Sequence, residues 1–252
     1  MVRTAEQFDL VVIGGGPGGY AAAFYGASAG LSVALVERDT IGGTCLNRGC
    51  IPAKAFLETA AVHRHVMHAP DFGISAGTPV VDFAVAQKRK QTIVDTLVKG
   101  LTGLTKSKKV TYLLGTGSLG AQHIVDVQLA AGGTQQVQGK FVVLAAGSVP
   151  RTIPGFDAGG PIMTSDEVLM LDRIPKRIAV IGGGAIGCEA TFLGCLPGEL
   201  DARSRLVAGG AGKGSARKAA AQGRGGGGYL WSMRRAPGHR PHLCRIWRGA
   251  GL

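Results

Sequence analysis

Phe8-Asp-Leu-Val-Val-Ile13 runs directly into Gly14-Gly-Gly-Pro-Gly-Gly19, and these twelve residues decide the fold. The first six read as a short buried strand. Tyr20 to Ala29 is a helix of small residues ended by Gly30, and Leu31-Ser-Val-Ala-Leu-Val36 is a second apolar strand closed by Glu37. Strand, helix and strand make a complete βαβ unit. Gly14, Gly16 and Gly19 fit G-x-G-x-x-G, and Glu37 stands 23 residues after Gly14. Such glycines permit a tight turn, close approach of backbone to a pyrophosphate, and close helix–strand packing. The helix N-terminus offers unpaired N–H groups to phosphate, and the acid accepts a ribose hydroxyl. The order of these parts predicts an α/β, Rossmann-like dinucleotide-binding domain on a three-layer parallel-sheet core.

Outward from this unit comes Ile41-Gly-Gly-Thr-Cys-Leu-Asn-Arg-Gly-Cys-Ile-Pro-Ala-Lys54, with Cys45 and Cys50 five positions apart. On an ideal helix that spacing separates Cα atoms by roughly 8.7 Å, whereas a disulfide tolerates at most about 7 Å. If the two bond, the backbone bends there, and Asn47 and Gly49 are residues that tolerate bending. Two buried thiols are the other reading. Ala53 to Met67 continues as a helix. His63, His65 and His68 cluster on it without a ligating arrangement, since His63 and His65 face different sides and neither acid nor cysteine accompanies them, so no metal site is expected. They read as a solvated face.

Asp71 to Pro79 is a loop, and Asp82 caps a long helix with an expected apolar stripe of Val85, Ile93, Leu97, Leu101 and Leu104. Its lysines and Arg89 read as the wet face. Val110 to Leu114 is a strand leading to Gly115-Thr-Gly117, and 123–129 with 135–138 suggests a hairpin. Phe141-Val-Val-Leu-Ala-Ala-Gly147 reads as a buried strand ending at Ser148. Thr164-Ser-Asp-Glu167 has the form of a capping box.

The opening pattern then recurs. Ile13-Gly14-Gly15-Gly16-x-x-Gly19 returns as Ile181-Gly182-Gly183-Gly184-x-x-Gly187, shifted by 168 residues, which marks the start of a second Rossmann unit. Glu37 maps by the same shift to Arg205, and no buried strand is legible at 199–204. Expected boundaries are 1–155 for the first domain, 156–194 for the start of the second, and 195–252 for a Gly- and Arg-rich tail. The tail holds 13 of the glycines and carries a net charge of +9 out of the chain's +12. That composition cannot bury enough apolar surface to offset ordering entropy, so it is expected to be disordered, and it reads as a shifted frame in a GC-rich gene. The basicity therefore belongs to the tail and does not by itself point to nucleic acid. No apolar run spans a bilayer, the polar N-terminus lacks a secretory pattern, and no disulfide framework is present, so a cytoplasmic setting is expected.

The segment Gly42–Lys54 closely resembles the active-site segment of the flavin-dependent pyridine nucleotide–disulfide oxidoreductases, and is most similar to their dihydrolipoamide dehydrogenase branch. The resemblance covers about residues 8–193. It implies FAD on the first unit and NAD on the second. Cys45 would be the thiol that meets dihydrolipoyl groups of 2-oxo acid dehydrogenase complexes, and Cys50 the one facing the flavin, the pair forming a redox disulfide. Lys54 would lie beside the flavin, paired with Glu189. Gly14, Gly16, Gly19, Glu37, Gly43, Thr44, Lys54, Gly117, Ala146, Gly147 and Ser148 would hold FAD, and Gly182, Gly184 and Gly187 the second dinucleotide. Family members are homodimers whose catalytic His–Glu pair comes from a C-terminal segment with no match here, so the chain reads as truncated and inactive on its own. Mercuric or glutathione reductase is the alternative within the family. A nucleotide-binding core with a nucleic-acid-binding tail is the alternative outside it. The sequence leaves open which 2-oxo acid complex is served, NAD against NADP, and whether FAD is retained.

Overall fold

The computed structural model describes residues 5–151, 153–175 and 178–190, together with the backbone of 205–207 and 230–232. The chain divides into two compact units. Met1–Pro52 with Gln91–Asp157 forms one, and Ala53–Lys90 with Ala158–Leu252 forms the other. Residues 53–90, expected within the first domain, thus pack with residues that follow 157. The reason is a small core of their own: Phe56 stacks on Phe83 at 5.5 Å, and both join Ala60, Ala86, Leu169 and Ile174.

The first unit starts with β1 (Glu6–Ile13), α1 (Pro17–Ser28) and β2 (Val33–Glu37). β2 runs parallel to β1, Ile13 opposite Val36. β3 (Thr111–Leu119), β4 (Ile124–Leu129) and β5 (Thr134–Leu144) complete a closed five-stranded sheet. Closure follows from the length of β3 and β5, each of which serves two neighbours. β3 pairs with β2 through Thr111–Leu114 and with β4 through Gly115–Leu119. β5 pairs with β4 up to Gln138 and with β1 as far as Leu144. The expected hairpin strand and the expected strand at 141–147 are therefore one strand.

Side-chain alternation along β1 builds the three layers. Val11 and Ile13 face the hairpin with Val36, Val125, Val127 and Val137. Leu10 and Val12 face the helices with Ala23, Val33, Leu35 and Val110. α1 approaches closely because its buried positions are Gly19, Ala23 and Gly26; a Cβ on Gly26 would stand 2.9 Å from Leu10 Cδ2. Phe141 and Leu144 correct the expectation of a buried strand: both are exposed, while Val142 and Val143 turn into the two clusters.

Between β2 and β3 in sequence come α2 (Gly43–Arg48), α3 (Cys50–His68) and α4 (Phe83–Ser107), the last begun by an Asp82 carboxylate that accepts the Val85 N–H at 3.1 Å. The expected stripe on α4 is corrected. Val85, Leu97 and Leu104 are exposed, and the buried positions are Phe83, Ala86, Lys90, Val94 and Thr105. Lys90 leaves the expected wet face because its ammonium donates to Leu169 O and sits 5.9 Å over the Phe56 ring. Thr105 is buried with its hydroxyl on Thr102 O. His63 is corrected likewise: it is buried on α3, while His65 and His68 are exposed.

The second unit adds α5 (Ser165–Val168), β6 (Ala179–Ile181) and α6 (Ala185–Ala190). The capping box forms as expected, Glu167 accepting the Thr164 N–H. Two three-residue strands follow, β7 (Arg205–Val207) parallel to β6 and β8 (Leu230–Ser232) antiparallel to β7. Backbone pairing thus places six residues of the tail expected to be disordered in strands. The rest of the tail, like Arg177 at the expected start of β6, lies outside the described residues. The register also corrects the mapped acid position: Arg205 pairs with Ala179, the equivalent of Val11, so it takes the place of Ala34 and stands three residues before the position of Glu37.

Candidate functional site

In the first unit the site grows from the ends of β1, β2 and β5. Gly14 leaves β1 at φ +105°, and a Cβ there would lie 2.1 Å from Ala145 O. A Cβ on Gly19 would lie 1.7 Å from Gly14 O. Both glycines are required by backbone packing, with or without a ligand. Gly16 differs. Its φ is −72°, and the nearest atom to an added Cβ is Gly43 Cα at 3.8 Å. Packing alone therefore does not require glycine at Gly16, at the start of α1, and its smallness is what close approach of a pyrophosphate needs, so these residues fit a dinucleotide.

Glu37 is buried at the end of β2 and already braces the turn. Its Oε2 accepts the Gly15 N–H at 2.6 Å and its Oε1 the Asp39 N–H at 2.9 Å. Each carboxylate oxygen keeps a second lone pair, which a ribose hydroxyl can use. Beside it, Tyr112 has its phenol pushed up to about 12 by burial and by the carboxylates of Glu37 and Asp39. Ala145, whose N–H donates to Ile13 O, sets the Ala146 nitrogen against Gly14, and Gly147 follows at φ +74°. Gly117 lies in β3 opposite Val127. A Cβ there would meet Val36 and Ile13 side chains at 3.2 and 3.4 Å, so its smallness first serves the core.

The cysteine segment sits directly on this turn. Gly42 N–H donates to Gly15 O at 2.8 Å, and a Cβ on Gly43 would lie 2.6 Å from Gly16 Cα. Cys45 is half-buried on α2, and Thr44 beside it is exposed. The helix breaks at Gly49, which is neither helical nor extended, and α3 restarts at Cys50, which is exposed. Gly49 packs so closely on the preceding turn that a Cβ would stand 2.9 Å from Thr44 O. The bend thus falls at one of the two residues expected to allow it. Asn47, the other, is helical and does something else: its amide donates to Thr40 O, Ile41 O and Gly43 O at 3.2, 3.2 and 3.0 Å. Arg48 adds an ion pair to Asp39 at 2.9 Å. Gly42, Asn47 and the Glu37–Gly15 bond were not legible as site features, because each acts through a tertiary contact.

In the second unit Lys54 on α3 meets Glu189 on α6, Nζ to Oε1 at 2.5 Å, both side chains partly exposed. The second glycine turn repeats the first. Gly182 stands at φ +111°, a Cβ on Gly187 would lie 1.9 Å from Gly182 O, and Gly184 has open space. Cys188 N–H closes the turn on Gly184 O at 2.9 Å, as Tyr20 N–H does on Gly16 O. Among the described residues no cluster of His, Cys, Asp and Glu could hold a metal ion, and no helix is long and apolar enough to cross a membrane.

Residues 8–199 match the family described as pyridine nucleotide-disulphide oxidoreductase. The chain is similar to a dihydrolipoyl dehydrogenase of Chlamydia pneumoniae, 45% identical over 75% of this chain and 40% of that protein. It is similar to a dihydrolipoyl dehydrogenase of Bacillus subtilis, 38% identical over 73% of this chain and 41% of that protein. A leghemoglobin reductase of Vigna unguiculata is 39% identical over 81% of this chain and 39% of that protein. The chain thus spans about two-fifths of the length of these relatives.

Proposed function

The chain belongs to the pyridine nucleotide–disulphide oxidoreductase family, and from that premise we propose that it carries the FAD and disulfide half-site of a dihydrolipoyl dehydrogenase. The observation that carries this reading is the contact between Gly42–Gly43 and Gly15–Gly16, which seats the cysteine segment on the dinucleotide turn.

Gly14, Gly16 and Gly19 would shape the pyrophosphate seat, and Glu37 would take the ribose. Gly43, Thr44, Gly117, Ala146, Gly147 and Ser148 would complete the FAD surface, with Lys54, oriented by Glu189, near the ring. Gly182, Gly184 and Gly187 would receive NAD. When bound, FAD supplies a two-electron carrier between the cysteine pair and the nicotinamide.

The chain's own residues perform the exchange. One thiolate of a dihydrolipoyl group attacks Sγ of Cys45 in the Cys45–Cys50 disulfide. That bond breaks, Cys50 leaves as thiolate, and a mixed disulfide forms. The second substrate sulfur, its proton lost to solvent, attacks the substrate sulfur bound to Cys45 and displaces Cys45 as thiolate. The substrate is oxidised to its cyclic disulfide and the cysteine pair is reduced by two electrons. Cys50 is exposed and Cys45 half-buried, so access alone would favour Cys50; the assignment of Cys45 as the attacked sulfur follows the family resemblance, in which Cys50 faces the flavin. The partners of this reading are dihydrolipoyl groups of 2-oxo acid dehydrogenase complexes and a second copy of the chain.

The test uses the FAD-loaded chain and dihydrolipoamide. Wild type should give up one disulfide per FAD, mapped by alkylation. Cys50→Ser should accumulate a lipoamide adduct on Cys45 when offered lipoamide, and Cys45→Ser should give none. An adduct on Cys188 alone, or no FAD bound, would overturn the reading.

A further inference from the structure

Asn47 stands between the two cysteines, and among the described residues its side-chain hydrogen bonds go neither to the glycine turn nor to β1. Its amide reaches backwards instead, to three carbonyl oxygens. One of them, Gly43 O, lies on its own helix, four residues back. The other two, Thr40 O and Ile41 O, belong to the loop before α2. Three acceptors around one NH₂ fix which end of the amide points there, since its carbonyl end would be repelled by all three. The next link is the loop itself. Gly42 donates to Gly15 O, and Gly43 is so close to Gly16 that a side chain on Gly43 has no room. Asn47 therefore ties α2, bearing Cys45, directly to the carbonyls of the segment that touches the dinucleotide turn, while Arg48 reaches Asp39 further back.

We propose that Asn47 is a positioning residue that couples the Cys45–Cys50 turn to the glycine turn, so that the oxidation state of the pair and the affinity of the turn for FAD depend on each other. The inference rests on the reading above. Forming the disulfide draws Cys45 and Cys50 together across Gly49, and any rotation of α2 this requires is passed through Asn47 to residues 40–43, and through Gly42 and Gly43 to Gly15 and Gly16. Coupling of this kind is reciprocal. If oxidation tightens FAD binding by some factor, FAD favours oxidation by the same factor. A side chain that only stabilises α2 would weaken FAD binding equally in both oxidation states.

The experiment measures FAD affinity of the whole 252-residue chain, by fluorescence titration, with the pair reduced and with it oxidised, each state verified by alkylation. Wild type should show at least a threefold difference between the two affinities. Asn47→Leu, which keeps the size and loses the donors, should bring that ratio to one. Asn47→Ser serves if the leucine variant does not fold. Its hydroxyl reaches the Gly43 carbonyl within the helix but not the loop, so the ratio should again be one while α2 is kept. A wild-type ratio of one, or a ratio unchanged in either variant, overturns the proposal. Failure of wild type to bind FAD or to form the Cys45–Cys50 bond brings down the functional reading and this inference with it. That outcome differs from the first, in which both occur without depending on Asn47.

Discussion

The Lys54 ammonium and the Glu189 carboxylate meet at 2.5 Å, 135 residues apart in sequence, joining α3 to α6 within the second unit. Their side chains are 56% and 30% exposed, so water screens the pair and its worth to stability is about 0–1 kcal/mol. Glu189→Gln should therefore leave thermal unfolding nearly unchanged. It should slow reduction of bound FAD by dihydrolipoamide, followed by the loss of visible flavin absorbance, because the lysine is no longer held in one place. A large loss of stability with an unchanged reduction rate would make the pair structural only.

The glycines of the first turn should separate by role. Gly19→Ala places a Cβ on Gly14 O, and overpacking of this kind costs about 1–3 kcal/mol or more. Gly16→Ala meets nothing closer than 3.8 Å in an ordinary conformation, so stability without FAD should change by less than about 0.5 kcal/mol. Its Cβ fills the space over the turn, and FAD affinity should fall roughly tenfold or more, about 1.4 kcal/mol. Urea unfolding of the FAD-free chain alongside FAD titration distinguishes the two. Equal effects of both substitutions on both measurements would argue against a pyrophosphate over Gly16.

These two turns also show what the sequence makes legible. The first βαβ unit could be read because backbone geometry forces glycine at Gly14 and Gly19 and apolar alternation forces β1 and β2. The repeat at Gly182–Gly187 could be read for the same reason. α4 could not, because a search for apolar letters selects Val85, Leu97 and Leu104, while burial there is set by what each side chain finds. Lys90 finds a carbonyl and an aromatic face, and Thr105 a carbonyl. Asn47 is a similar case: its residue type suits a bend, and only the positions of Thr40 O and Ile41 O make it a tether.

Asp9 offers a test of acid stability. Its carboxylate is held well below the usual range by the Lys140 ammonium at 2.7 Å, then by the Ser32 N–H and hydroxyl. Because the folded value is depressed, the unfolded chain binds the proton first as pH falls. The stabilisation is complete above the ordinary carboxylate value of 3.8 and is lost progressively below it. Asp9→Asn should lower stability at neutral pH and flatten the acid limb of the unfolding profile below that value. An unchanged acid limb would mean that the clasp between β1, Ser32 and Lys140 contributes nothing in solution.

His63 reverses the usual sign for histidine. It is buried on α3, and neither ring nitrogen finds a hydrogen-bond partner among the described residues. Burial pushes its pKa below the ordinary 6.5, so the folded chain holds the ring neutral while the unfolded chain takes up a proton. Between 6.5 and the lowered value the unfolded state binds more protons, and stability is therefore lost as pH falls through that window. Two unsatisfied polar atoms in a buried position add a cost of about 1–3 kcal/mol that does not depend on pH. His63→Phe removes both effects, with a ring of comparable shape. It should raise the unfolding temperature near neutral pH and raise it further in mild acid, narrowing the difference between about pH 7.5 and about pH 5.5. His65→Gln, on the exposed side of the same helix, should leave that difference as it is in wild type. A His63→Phe variant with the wild-type pH dependence would show that the ring is protonated in the fold and has found a partner for its charge.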